Sequence, residues 1–430
     1  MQSPTHARQT TLPKPILFYL SASLFLSFVC VMVILLQRYV RHSNFNYHWF
    51  FLLDNPQRDL WCYQPQFLKL HNTGFFSASS NIEMFPYPPG SVLITALFNN
   101  LLPKFHSIPY FFLSFLGIAG LAAGLEKTLE QLDMERWKAI LLATASLLLF
   151  FPLYFAWMTG NIEVIIFLLL AAGVLSFLRG NFILAAVLIG YCGSTKFYPI
   201  VLIALFLPVR RYKEIAVAMV AFFASLFAGL WLACSDLHVA YFGLRMAMKT
   251  NRVDYMQSYM FPQSMADHSL WGLFKSVGFM LTKQEHYPSW ALSTYMAITA
   301  SLGFALFFGR IRKLPLLNQI TCLYLCLLLL VPESFEYTLL HLALPCGLLL
   351  LYTVQLANEG RSVRSLFPAF LCMAFVLSAD IELVYARHGF WGQAKCLALV
   401  ALLGMALASR WDGLEKMEWI SPSLRRRDLQ

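Results

Sequence analysis

The chain has 430 residues, 59% hydrophobic and 13% charged, with a mean hydropathy of +0.61, which is more apolar surface than one water-soluble core can hide. Its net charge of +10 lies between and after the apolar runs, where contact with anionic lipid accounts for it and nucleic-acid binding is superfluous. Nine cysteines without a CxxC or metal-type grouping argue against a disulfide framework or a structural zinc, and the lack of a Gly-rich phosphate loop, HExxH or GxSxG leaves nucleotide-driven pumping and the familiar hydrolase chemistries unsupported.

Apolar runs over 15–36, 88–102, 108–125, 139–157, 162–178, 181–208, 214–234, 290–309, 314–332, 338–357, 366–380 and 390–409 predict an all-α, polytopic integral membrane protein of about twelve transmembrane helices. The first run is too long for a signal-peptide core and follows Arg8 and Lys14, so it is expected to stay as an uncleaved span with a cytoplasmic N-terminus. Residues 41–87 then form a first outer loop and 235–289 a second, each long enough for short helices lying along the membrane surface. Basic clusters at Arg210-Arg211-Lys213, Arg310-Arg312-Lys313, Arg361/Arg364 and Arg425-Arg426-Arg427 all fit the cytoplasmic side, with 410–430 as a cytoplasmic tail. No fixed-period repeat and no matching pair of broken helices divides the chain, so 1–430 reads as a single integral membrane domain. The run 181–208 holds Gly190, Gly193, Lys196 and Pro199, and it is either one long broken helix or two short re-entrant halves.

In the first outer loop Asn55 can cap a short helix, Pro56 suits its first position, and Asp59 shares a face with Tyr63. Asp54 points elsewhere, about 140° around such a helix. A carboxylate beside the hydrocarbon boundary is costly to desolvate, which makes Asp59 either a general base or a helix-start acid paired with Arg58 or Lys69. Tyr87-Pro88-Pro89 fixes an extended entry to the next run and shapes either a cleft rim or plain architecture.

Asn161 and Glu163 open the run after Gly160, where they either cap a helix or face a cavity. Lys196 is a cation inside an apolar stretch and needs an anion, a water-filled cavity or the membrane surface. In the second outer loop Gln263, Asp267 and His268 are polar residues leading into Trp271. Glu333, Glu336 and His341 are expected to cluster at a junction of two spans, where His341 is either a satisfied core histidine or a contact for a phosphate or sugar hydroxyl.

Taken together, Asp59-Leu60-Trp61-Cys62-Tyr63, Tyr87-Pro88-Pro89, Gly160-Asn161, Arg179-Gly180 and Lys196-Phe197-Tyr198-Pro199 followed by Arg210-Arg211 form an ordered set of blocks between residues 59 and 211. It resembles the polyprenyl-phosphate-sugar-dependent glycosyltransferases of the GT-C superfamily, specifically the bacterial family of phosphatidylinositol-mannoside mannosyltransferases and related arabinofuranosyltransferases. Thr159-Gly160-Asn161 and Pro262-Gln263-Ser264 depart from the family's Gly-Gln-Asn and Asn-Gln-Ser blocks, and Asp267-His268-Ser269-Leu270 offers a competing alignment for the second.

The resemblance implies a multi-pass protein of the plasma (inner) membrane, with cytoplasmic termini and an active site on the outer face. Its implied activity is hexosyl transfer, mannose favoured, from a polyprenyl-phosphate sugar to a lipid or glycan acceptor. Asp59 would be the base, Lys196 a cation for the donor phosphate and His341 a polar contact to the donor, with Tyr63, Tyr87, Asn161, Gln263, His268 and Glu336 as further substrate-binding candidates. A lipid phosphate is already a good leaving group, so an inverting displacement needs one base and a cation, with no cofactor beyond the donor itself. Nothing in the sequence argues for a metal. The rival is a transporter or flippase of a lipid-linked saccharide, which also needs a polar cavity in a helical bundle.

Overall fold

The computed structural model describes residues 12–41, 87–101, 107–258, 267–379 and 391–425, and its regular elements are helical. Hydrocarbon offers a backbone N–H or C=O no partner, so an apolar chain in lipid must close its own hydrogen bonds, and helices do this within one segment. The first half comprises α1 (Lys14–Arg41), α2 (Gly90–Leu101), α3 (Ser107–Gln131), α4 (Arg136–Leu148), α5 (Phe151–Thr159), α6 (Glu163–Leu178), α7 (Phe182–Thr195) and a 3-10 helix, Tyr198–Phe206. There follow α8 (Tyr212–Ala233), α9 (Leu237–Asn251), α10 (Leu270–Thr282), α11 (Ser289–Gly309) and α12 (Leu316–Leu329). A second 3-10 helix, Glu336–Leu342, runs into α13 (Ala343–Asn358), with α14 (Phe367–Val376) and α15 (Trp391–Ala408) beyond it.

Among the described residues, five helices are long and apolar enough to cross a membrane, or six if α4 and α5, bent by 60° at their junction, count as one span. The protein is membrane-integral. Every residue of α12 is buried, and α13, α15 and the Tyr198–Phe206 3-10 helix pack against it, with α6 and α7 in the same core. The outer helices α3, α8 and α11 instead expose Phe112, Phe115, Phe223, Phe227, Trp231 and Phe304. Rows of large apolar side chains on the outside fit lipid and not water.

Two apolar runs read as possible crossings behave otherwise. The stretch 181–208 breaks at Lys196 and doubles back. The Arg211 guanidinium lies 4.4 Å from the Phe182 ring and Phe206 packs edge-on against Phe177, so the start of α7 and the end of the 3-10 helix share one end of the bundle. The re-entrant alternative therefore holds, with Lys196 at the apex. The run 88–102 yields only the 12-residue α2. Its start packs on Ser194, near that apex, and its Phe98 meets Tyr110, whose hydroxyl donates to the Asn161 carbonyl at 2.9 Å. Both parts of α2 thus meet the same end of the bundle. Hydropathy registers apolar content and is blind to this reversal.

The opposite end gathers the basic loops. Arg310 donates to the Leu407 carbonyl, Asn318 to the Ala406 and Ser409 carbonyls, and Asn358 to the Leu132 carbonyl. Residues 410–425 of the expected tail fold back here. Trp411, Leu414, Met417 and Ile420 enter the core, and Glu415 accepts the N–H of Leu316, placing a carboxylate at the N-terminus of α12. The expected loop 41–87, apart from Arg41 and Tyr87, lies outside the described residues. Much of 235–289 is helical, in α9 and α10.

Glycines set the closest approaches. A Cβ at Gly190 would collide with the Ala218 carbonyl, and one at Gly229 with the Pro89 carbonyl. These contacts bring α7 against α8 and seat the Tyr87-Pro88-Pro89 segment on α8. Gly190→Val is expected to cost about 1–3 kcal/mol, read as a lowered unfolding temperature in detergent. Gly404→Ala, whose Cβ meets nothing within 4 Å, should leave that temperature unchanged or slightly raised.

Candidate active site

At the end away from the basic loops, α5 stops at Gly160, whose φ of +68 lets the chain turn sharply without a side-chain penalty. The Asn161 side-chain oxygen then accepts the N–H of Glu163 at 3.0 Å and opens α6. Asn161 is therefore a capping residue. The turn delivers the Glu163 carboxylate, with no exposed surface, to the first turn of α6.

Lys196 lies just past the last residue of α7, in extended backbone. Its ammonium donates to Glu163 Oε2, and the Tyr198 hydroxyl donates to Glu163 Oε1. His341 Nε2 is 2.6 Å from the same Oε1 and 3.2 Å from the Tyr198 hydroxyl. A carboxylate only accepts, so Nε2 carries the hydrogen, and Nδ1 is buried and without a hydrogen-bond partner among the described residues. One carboxylate thus organises a lysine and a tyrosine from one segment and a histidine from another.

Aromatic faces bound the ammonium on its other sides. The Tyr87 ring centroid lies 5.3 Å from Lys196 Nζ and that of Tyr337 lies 4.8 Å away, both within cation–π range. An ammonium has three N–H donors. Among the described residues, only Glu163 supplies Lys196 with an oxygen acceptor.

A second polar cluster lies alongside. Glu336 receives Lys395 Nζ on both oxygens, at 2.8 and 2.9 Å, and His268 Nε2 at 2.9 Å, while Lys395 also donates to the Ser378 carbonyl. His268, Glu336 and Lys395 are all buried, so this group satisfies itself. Asp267 Oδ1 accepts the N–H groups of Ser269 and Ser334, and Lys275 Nζ stands 3.7 Å from Oδ2.

The expected grouping of Glu333, Glu336 and His341 is divided by local geometry. Glu336 and His341 lie on a 3-10 helix, where five residues at three per turn leave the side chains about 120° apart, on different faces. Glu336 accordingly joins Lys395 and His341 joins Glu163.

Glu333 sits in the connection between α12 and that 3-10 helix, outside both. Its Oε1 is closed off from solvent and has no hydrogen-bond partner among the described residues. Burial pushes its carboxyl up from 4.5 to about 8; Asp267 adds to the rise, while Lys275 and Lys196 oppose it.

Of the residues expected from sequence to form the site, Tyr87, Asn161, Lys196 and His341 meet around or beside Glu163. His268 and Glu336 meet each other in the adjacent buried cluster. Asp59, Tyr63 and Gln263 lie outside the described residues. Sequence reading passed over Lys395, although a lysine within the apolar run 390–409 carries the same signal that singled out Lys196. Tyr198 was visible only as part of the Lys-Phe-Tyr-Pro block, because a tyrosine near a membrane interface is common.

Lys395→Met would leave Glu336 buried without its lysine and is expected to cost about 3–5 kcal/mol in thermal or denaturant unfolding. Removing both charges, as Lys395→Met with Glu336→Gln, should recover much of that loss. For Glu333, the folded chain holds a proton up to about pH 8 that an unfolded glutamate releases near 4.5, so stability should fall as pH rises across that interval and level off above it. Glu333→Gln is expected to flatten this decline relative to wild type in unfolding temperatures measured at each pH.

Comparison with known proteins adds a family. The model described as GT87, glycosyltransferase family 87, matches residues 85–332, more than half of the chain and a range that takes in Tyr87, Asn161, Glu163, Lys196 and Tyr198. No curated protein and no solved structure matches. An all-helical membrane bundle with a buried polar site at one end agrees with that match. The chain belongs to glycosyltransferase family 87, a GT-C-type family of membrane glycosyltransferases.

Proposed function

We propose that this glycosyltransferase moves a hexose, with mannose as the favoured sugar, from a polyprenyl-phosphate donor to a lipid or glycan acceptor. The observation that carries the reading is Lys196, fixed at the apex of the α7 reversal by Glu163, with two of its three N–H donors not taken up by an oxygen of the described residues. A departing phosphate monoester supplies the acceptors such a cation lacks. The donor's long tail remains in lipid, which suits an active site made of membrane helices.

In the proposed step the acceptor oxygen attacks the anomeric carbon from the side opposite the phosphate. The bond from that carbon to the phosphate oxygen breaks, and the phosphate leaves with the bonding pair, its growing charge facing Lys196. The acceptor proton passes to Asp59, the base we assign to the first outer loop, and the sugar inverts. Tyr63, Gln263 and His341 Nδ1 are assigned to sugar hydroxyls. His268 and Glu336, already engaged with Lys395, hold the neighbouring wall. The step draws on no cofactor besides the donor.

The basic loops at the far end of the bundle support cytoplasmic termini and an outward-facing site in the plasma membrane. They fit a single domain over 1–430, with loops 41–87 and 235–289 flanking the site. Membership of a glycosyltransferase family does not favour the transporter or flippase reading.

Purified protein given radiolabelled polyprenyl-phosphate-mannose and membrane lipid extract is expected to form a labelled product. Asp59→Asn should lower the rate about 10²–10⁴-fold while leaving the protein folded. Lys196→Met should lower it about 10²–10³-fold. Undiminished transfer by Asp59→Asn would move the base elsewhere. No transfer by wild type, with other polyprenyl-phosphate sugars also inert, would sink the donor assignment.

A further inference from the structure

A crevice of about 200 Å³ lies between α3, α4, α6 and α13, apart from the polar site. Its floor is unusually open for a helix junction. Gly120 and Gly124, one turn apart on α3, and Gly347 on α13 all line it, and a Cβ at any of the three would meet nothing within 4 Å. The walls are apolar, from Phe150 and Phe167 at one end to Leu175 and Leu351 towards the other. Phe167 packs edge-on against His341, so the inner end stops beneath the Glu163 cluster.

The other end lies among the basic loops and changes character. Arg179 and Trp419 line it there. Arg179 is exposed, and its guanidinium has no carboxylate or hydrogen-bond partner among the described residues. Trp419 Nε1 is shut off from solvent and likewise has no acceptor among them. From Phe167 to Arg179 along α6 is about 18 Å at the helical rise, close to half of a hydrocarbon core about 30 Å thick. An apolar slot as long as one leaflet is deep, ending in an unpaired guanidinium and an indole N–H, complements a lipid chain with an anionic head.

We infer that this crevice binds one acyl chain of an anionic phospholipid from the leaflet on the basic side, with its phosphate held by Arg179 and Trp419 Nε1. Phosphate oxygens accept from both groups, and the guanidinium gives the preference for net negative charge. The glycines leave room for the chain where larger side chains would close the slot. Through Phe167 the occupied crevice buttresses the wall behind His341. The assignment stands independently of the donor and acceptor proposed above.

Delipidated full-length protein, titrated separately with dioleoyl phosphatidylglycerol, dioleoyl phosphatidylcholine and a polyprenyl phosphate, tests it by native mass spectrometry. Wild type is expected to hold one phosphatidylglycerol about fivefold more tightly than phosphatidylcholine. Arg179→Ala should abolish that preference, and Gly347→Leu should weaken retention of both phospholipids about tenfold. Gly124→Leu repeats the blocking test from the opposite wall should Gly347→Leu fail to fold. Equal retention of the two phospholipids by wild type would overturn the inference, as would blocked variants that bind like wild type. A blocking effect seen with polyprenyl phosphate alone would also overturn it and give the crevice to an isoprenoid chain.

Discussion

The site depends on a single carboxylate that has no contact with water. Glu163 is placed at the start of α6 by the Gly160-Asn161 turn, and a charge buried there is sustained only by partners that offset its lost hydration. Lys196, Tyr198 and His341 are those partners, and meeting them constrains the fold. Lys196 reaches the carboxylate because α7 ends at Thr195 and the chain reverses; Tyr198 reaches it from the first turn of the returning 3-10 helix. His341 reaches it because the segment before α13 is wound as a 3-10 helix. The helix breaks around the site are therefore part of its construction.

The two neighbouring polar clusters differ in what they leave over. Around Glu336, two oxygens meet Lys395 and His268, and Lys395 spends a further donor on Ser378, so the group is closed. Around Glu163, one carboxylate faces three donors, leaving N–H groups on Lys196 and the second ring nitrogen of His341 without a hydrogen-bond partner among the described residues. A closed cluster fixes packing. An open one has capacity for a ligand, and Tyr87 and Tyr337 confine that capacity to the sides of Lys196 that they leave clear.

The membrane-helical character was legible because hydropathy sums over many residues and survives local error. Lys196 was legible because a cation in an apolar run has few physical explanations, and one of them, a nearby anion, is the one observed. That the anion is Glu163 was not legible, since the partners are 33 residues apart and His341 is 178 from the same carboxylate. Lys395, a lysine within the apolar run 390–409, carries the same signal as Lys196. The reversal at 181–208 was one of two open readings, separated only by the tertiary contact of Phe182 with Arg211. The count of about twelve crossings goes beyond the five or six full-length spans among the described residues, because apolar runs such as 88–102 do not record whether the chain crosses or turns back.

The central claim, that Glu163 and Lys196 form one cooperative unit, is tested most directly by a double-mutant cycle on unfolding free energy with Glu163→Gln, Lys196→Met and the double variant. A coupling energy of about 1–3 kcal/mol, with the double variant more stable than the sum of the single losses allows, is the expected result. Strict additivity, with a coupling indistinguishable from zero, would mean that the two side chains do not hold each other in the folded protein and would contradict the account.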